Sequence, residues 1–213
     1  MLPSPDTPQQ RLYLWRVVFP ILRALALFLV PSRLEGVERI PRGGVLLVAN
    51  HANWKDPPLL TFVLDRAVRF LAKEELFRVP VLGGALRFAG NFGIRRGEAD
   101  RRALVTALRV LAAGLPLGFF PEGHRSPTGA LIRAHPGVAM VAKRADVPIV
   151  PIAITGTKRA RVGAFWRRDV TFRIGEPFRA SELAGLDDQA AADEIMRRIA
   201  ALLPGEMRGV YGE

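Results

Sequence analysis

From Pro31 onward, short apolar runs alternate with stretches of helical character, and few folds accommodate that rhythm. The runs Leu34–Ile40, Val45–Ala49, Ala67–Ala72, Leu117–Phe120, Ile149–Ile154 and Val170–Ile174 have the length and composition of strands, and Phe88–Ile94 also reads as extended. Between them Pro57–Leu64, Glu74–Arg78, Asp100–Leu111 and Gly137–Arg144 read as helical. Ser181 is placed to cap a short acidic turn, and Asp187–Leu203 closes the chain as a helix stopped by Pro204-Gly205. In Asp100–Leu111 the residues Ala103, Leu104, Ala107, Leu108 and Leu111 share one face. Strands alternating with helices predict an α/β fold with a mixed, largely parallel sheet flanked by helices. With 213 residues and no internal repeat, the chain suits one such body and a small appendage.

The appendage is N-terminal. After a polar, proline-bearing start, Arg11 to Val30 is strongly apolar. Pro20 and Arg23 interrupt this run, whereas a membrane span wants ~20 apolar residues in a row. No small-residue cleavage site follows it, so a signal peptide is a poor fit. Arg16 and Arg23 lie two helical turns apart and share one side. An apolar helix docked in the membrane interface fits better, with the arginines reaching headgroups and Trp15 at the boundary. A helix packed on the core is the plainer alternative. The expected division is residues 1–32 for this membrane-docking element and 33–213 for the body.

Net charge and missing residue types narrow the chemistry. A formal charge of +11 calls for an acidic partner, whether nucleic acid, an anionic membrane face or an anionic substrate. No nucleic-acid motif with aromatics interleaved among basic residues is present, so no nucleic-acid partner is expected. The absence of cysteine excludes disulfides, thiolate metal sites and a cysteine nucleophile. Histidines 51, 124 and 135 lack metal-ligand spacing, and no metal is expected.

Four segments carry candidate chemistry. In the first, the apolar run Val45–Ala49 ends at Asn50-His51, and Asp56 follows five positions after the histidine. A histidine at the carboxyl end of a buried strand sits where open α/β sheets keep their sites. A carboxylate on one imidazole nitrogen would leave the other as a general base. Asp56 before Pro57-Pro58 is equally a good helix cap, which needs no catalysis. In the second, Phe119-Phe120-Pro121-Glu122-Gly123-His124-Arg125-Ser126, Gly123 allows close backbone approach and Arg125 offers a planar fork for phosphate. A polar turn with a surface arginine is the alternative. The third is Gly90 to Arg96, where Arg96 or Arg95 is either a phosphate clamp or a solvated charge. In the fourth, Val147 to Ile152, prolines inside a strand predict an edge strand bordering a cleft.

Taken together and in order, the four resemble the glycerolipid acyltransferases, and among them the bacterial 1-acylglycerol-3-phosphate acyltransferases. His51 and Asp56 match that family's His-x4-Asp motif, and Gly90 to Arg96 resembles its Gly-x5-Arg block. Phe120 to Ser126 is similar to its Phe-Pro-Glu-Gly-Thr-Arg-Ser, with His124 in place of the threonine, and Val147 to Ile152 resembles its fourth block. The resemblance implies direct transfer of an acyl group from acyl carrier protein or a CoA thioester to a lysophospholipid hydroxyl, with no cofactor. It makes His51 the base and Asp56 its orienting partner. Arg96, Glu122, Gly123, His124 and Arg125 would line the acceptor site, and Pro151 would help shape the acyl site. It also implies a peripheral or monotopic protein on the cytoplasmic face of an anionic cell membrane. His124, and Arg95 where an aspartate is common, leave the acceptor open to another lysophospholipid, an aminolipid or a glycolipid. A hydrolase of thioesters and a basic nucleic-acid-binding protein are more distant alternatives.

Overall fold

A computed structural model describes residues 9–94, 100–160 and 170–212, with side chains from Val17 onward. Among the described residues the strands are β1 (Ser32–Glu35), β2 (Val45–Ala49), β3 (Arg69–Lys73), β4 (Phe92–Ile94), β5 (Pro116–Phe119), β6 (Ile149–Thr155) and β7 (Val170–Ile174). They form one sheet in the order β1-β7-β6-β2-β5-β3-β4. Strands β2 to β6 run parallel to one another, β7 is antiparallel to β6, and β1 is parallel to β7. The helices are α1 (Gln9–Leu29), α2 (Asp56–Leu64), α3 (Leu82–Phe88), α4 (Arg101–Ala112), α5 (Gly137–Ala145) and α6 (Asp188–Ala200). The mixed, largely parallel sheet flanked by helices is the expected architecture.

Strand β2 is the centre of the molecule. All five of its residues are buried, the non-alternating apolar run expected where helices cover both faces of a parallel sheet. Leu46 and Val48 enter a core with Ala107 and Leu111 of α4, Val138 and Ala142 of α5, and Ile195 and Ile199 of α6. Val45, Leu47 and Ala49 enter a second core with Leu59, Leu60 and Val63 of α2, against which Leu27 and Leu29 of α1 pack. Helices α4 and α6 begin on the caps their sequences offer. Asp100 Oδ1 accepts from the Arg102 and Ala103 amides, and Asp187 Oδ1 accepts from the Ala190 amide.

Several local expectations are corrected. Strand β1 ends at Glu35 rather than running to Ile40, because Gly36 turns at φ 77° into a 3-10 turn over Val37–Arg39. Phe88 ends a helix, and only Phe92–Ile94 of the expected extended segment is a strand. Gly83, an unfavourable helix residue on paper, packs where a Cβ would lie 2.2 Å from the Phe77 carbonyl oxygen. Ser181 sits inside a short 3-10 turn, Ala180–Leu183, whose cap position is Arg179. Arg23 turns inward instead of outward, donating to the Phe62 carbonyl and pairing with Asp65; Trp15 and Arg16 precede the described side chains.

The proline-bearing β6 lies inside the sheet between β2 and β7, not at an edge. The ladder to β7 stops where Pro151 cannot donate. Ile152 is paired with Ile174, Pro151 only accepts from the Gly175 amide, and pairing resumes as a single bridge of Ile149 with Phe178. A local break in one ladder thus replaces the edge position that the prolines suggested.

Candidate active site

The parallel strands deliver their carboxyl ends to one edge of the sheet. Past β2, Asn50 keeps the chain attached: its Nδ2 donates to the Ile154 carbonyl at 2.9 Å, and its Oδ1 accepts from the Ile154 amide at 2.7 Å. His51 is then held by its own main chain. Its amide donates to Glu122 Oε1 at 2.8 Å, and its carbonyl accepts from the Ser126 amide at 2.7 Å. The strand-end loops after β2 and β5 are thereby fixed to each other.

The imidazole is fixed separately. His51 Nδ1 donates to Asp56 Oδ2 at 2.9 Å, and the same oxygen accepts from the amides of Ala52 at 2.8 Å and Asn53 at 2.7 Å. Asp56 is fully buried at the start of α2 and turns its carboxylate back onto the loop instead of capping the helix. An oxygen that accepts from two amides accepts from Nδ1 too, so Nδ1 carries the hydrogen and Nε2 is the nitrogen that offers a lone pair in the neutral ring. The His51 ring lies on Phe120, centroids 4.3 Å apart and planes 23° apart; Phe120 in turn lies on Phe70 at 5.5 Å and 12°. Gly118 makes room for this column, since a Cβ there would stand 2.1 Å from Phe70 Cε1.

Glu122 is fully buried, with Oε1 on the His51 amide and Oε2 3.4 Å from the Ile132 amide. Burial raises its carboxyl to about 7, against the pull of those two amides and with the Asp56 charge adding to the rise. Gly123 has φ 70°, and a Cβ on it would meet His135 Cδ2 at 2.6 Å, so two independent constraints select glycine. His124 and Arg125 are exposed at the rim of the same turn. Ser126 locks the turn by donating its hydroxyl to the Ala130 carbonyl at 2.6 Å.

The structure therefore brings His51, Asp56, Glu122 and Gly123 together and sets His124 and Arg125 beside them. Arg96, like Arg95, lies outside the described residues; β4 leads to it, with Ile94 opposite Lys73 of β3. Pro151 is not brought to His51. Strand alternation puts its ring on the other face, against Gly175, where a Cβ would be 2.9 Å from Pro151 Cγ. Sequence reading passed over Asn50, Gly118 and the stacking role of Phe120. A polar residue closing an apolar run was the available signal for Asn50; nothing local marked the other two. Among the described residues no cluster of His, Asp and Glu is arranged to hold a metal ion. A free Nε2 with an anchored carboxylate behind it is the geometry of a general base.

Residues 32–155 match the Acyltransferase family. The chain is 32% identical over 213 residues to the lyso-ornithine lipid O-acyltransferase of Pseudomonas aeruginosa, covering 99% of this chain and 71% of that protein. It is 29% identical over 183 residues to the 1-acyl-sn-glycerol-3-phosphate acyltransferase of Streptococcus pneumoniae, with 82% and 67% covered. A 1-acyl-sn-glycerol-3-phosphate acyltransferase of Chlamydomonas reinhardtii is 36% identical over 121 residues, and the chain spans only 36% of its length. The crystal structure of the 1-acyl-sn-glycerophosphate acyltransferase from Thermotoga maritima has the same fold, with a TM-score of 0.73 and 25% identity over 99% of this chain and 86% of that one. With the family match running through β1 to β6 and the Pseudomonas aeruginosa relative matched along 99% of this chain, the chain belongs to the acyltransferase family.

Proposed function

We propose that the protein moves a fatty acyl group from a thioester, acyl carrier protein or CoA, to the free hydroxyl of 1-acylglycerol-3-phosphate, forming phosphatidic acid. The observation that carries this reading is the His51–Asp56 pair with Nε2 left free at the carboxyl edge of the sheet. Nε2 takes the hydroxyl proton as the acceptor oxygen attacks the thioester carbonyl. The tetrahedral adduct collapses, the carbon–sulfur bond breaks, and the departing thiolate receives the proton from the imidazolium. Asp56 holds the ring and stabilises its charged form. The chain has no cysteine, and direct transfer needs no acyl-enzyme.

Arg125 and Arg96 hold the acceptor phosphate, while Gly123 and His124 shape the glycerol side. Glu122 supports the acceptor turn from beneath through the His51 amide, and Pro151 acts on the acyl side only through the packing of β6. Residues 1–32 form the membrane-docking element and 33–213 the acyltransferase domain. No helix among the described residues is long and apolar enough to cross a membrane. A peripheral position on the cytoplasmic face suits α1.

A second acceptor class has its own support. The relative matched along 99% of this chain is named for a lyso-ornithine lipid, and His124 stands where the resembled motif has threonine. Transfer from acyl carrier protein and CoA thioesters to lysophosphatidic acid and to a lyso-aminolipid, with His51→Ala alongside, tests both readings. Phosphatidic acid from the wild type alone supports the first. Product only with the aminolipid replaces it, and no His51-dependent product with any acceptor sinks both.

A further inference from the structure

Gly123 has no room for a Cβ because the ring of His135 fills the space, with Cδ2 2.6 Å and Nε2 3.1 Å from where that atom would stand. His135 lies between β5 and α5, outside the four segments that carry the chemistry, yet its imidazole is set on the backbone of the acceptor turn. Its amide donates to the Pro121 carbonyl at 2.8 Å, one residue before Glu122. The His124 ring on the rim of the same turn has its centroid 6.3 Å from that of His135. Any residue could supply the amide. The ring is a different matter, because it is exposed and its nitrogens have no hydrogen-bond partner among the described residues.

This ring is held from behind. The Leu131 amide donates to the Met207 carbonyl at 2.9 Å, and Gly209, at φ 52°, comes so near that a Cβ would lie 2.0 Å from the Leu131 carbonyl oxygen. The Ala134 amide donates to Tyr211 Oη at 3.0 Å, and Tyr211 Oη donates to Asp193 Oδ1 at 2.7 Å. Gln189 Nε2 of α6 donates to the Ala134 carbonyl at 3.1 Å. On the other flank Glu122 Oε2 accepts from the Ile132 amide. A side chain with no partner of its own thus stands on a backbone tied at both flanks, as a preorganised ligand contact requires.

We propose that His135 is a specificity-determining residue of the acceptor site, its imidazole N–H donating to the anionic group of the headgroup beside Arg125. This rests on the acyltransferase reading and adds a contact made from outside the motif turn. The charged and titratable groups exposed on residues 121–126 and 131–135 are His124, Arg125, Arg133 and His135. The carboxylates Glu122 and Asp56 beneath are buried and bound to amides, so the open side offers donors to an anion. A neutral imidazole with both nitrogens free adopts the tautomer that donates to an anionic oxygen, and such a charge-assisted bond is stronger than a neutral one. The phosphate of a glycerophospholipid and the carboxylate of an aminolipid share that chemistry.

The test uses the full chain in detergent. It has three histidines, so the ring-proton resonance of His135 is the one lost in His135→Gln. Titration with glycerol 3-phosphate as the phosphate probe, and with N-acetylglycine as the carboxylate probe, should move that resonance saturably for at least one of them. His135→Ala should raise the acceptor KM about tenfold while kcat and the thioester KM hold. The acceptor that shows the rise, lysophosphatidic acid or a lyso-aminolipid, identifies the anion. His135→Gln keeps an N–H at similar reach and should restore most of the affinity. A resonance unmoved by both probes overturns the proposal, as does an unchanged KM for both acceptors. So does a His135→Ala protein that loses kcat and melting temperature together without rescue by glutamine, which would make the ring a filler over Gly123. The titration needs no turnover: a resonance that moves in a protein with no transfer supports this contact and counts only against the catalytic reading.

Discussion

The two faces of the sheet are built to different ends. On one face α4, α5 and α6 press small residues, Ala107, Ala139, Ala142, Ala191 and Ala192, against the strands, and Ile195, Met196 and Ile199 fill what remains with no exposure. That face is complete within the chain. On the other face α2 and α1 cover a core that ends at the His51–Phe120–Phe70 column, and α1 turns apolar residues outward. Stability is concentrated on the first face and chemistry on the second. A substitution's effect should therefore depend on which face it enters, more than on how apolar it is.

Replacing His51 with Ala should break the contrast from the chemical side. Transfer is expected to fall by about 10³-fold while most of the folded stability is kept, because Nε2 chemistry is lost together with one bond to Asp56 and the ring's contact with Phe120. A melting temperature that collapses with activity would make His51 a structural residue. The mirror experiment is Ile195→Ala on α6. It should destabilise by about 3 kcal/mol while the folded fraction keeps its kcat/KM; a specific loss of turnover would show that the two faces are coupled.

Glu122 adds a dependence on pH. Its folded value of about 7 lies above the ordinary 4.5, so the folded state holds the proton more tightly than the unfolded one. The stability this gives is present in full below the unfolded value and is lost as pH rises toward 7. Glu122→Gln keeps an acceptor for the His51 amide and cannot ionise, so the fall in melting temperature across that window should flatten in the variant. An unchanged slope would mean the carboxyl is ionised throughout.

The smallest effect is the most local. Phe120→Leu retains bulk but not the aromatic face, and kcat should drop by about 3- to 10-fold with KM nearly constant as the imidazolium loses its platform. Phe120→Tyr should restore most of it. Equal kcat in all three proteins would reduce the column to packing.

What the sequence disclosed and what it hid follow from the range of the contacts. Strand β2 and the pairing of His51 with Asp56 were legible because a buried parallel strand writes itself as an unbroken apolar run, and a loop with four residues between the two can only return the carboxylate close by. Helix α3 was hidden by Gly83 and Gly84; the use of Gly83 lies in its contact with Phe77 rather than in helix propensity, while Gly84 faces open space. The interior position of β6 was hidden because a missing donor at Pro151 is tolerated wherever the neighbouring ladder breaks, not only at an edge. The inward turn of Arg23 depends on Phe62 and Asp65, and the aromatic column depends on Phe70, Gly118 and Phe120. Neither set lies near enough in sequence to produce a periodic signal.

Strand β1 also fixes an order of events during synthesis. Its Glu35 is paired with Arg173 of β7, 138 positions later. At the usual pace of roughly 5–20 residues per second, that partner emerges on the order of ten seconds after β1 itself. Through that interval α1 and its apolar stripe are already made, while the strand they lead into has no neighbour. The first of the described strands to leave the ribosome is thus among the last to be seated, and the chain can meet a lipid surface before its sheet is closed.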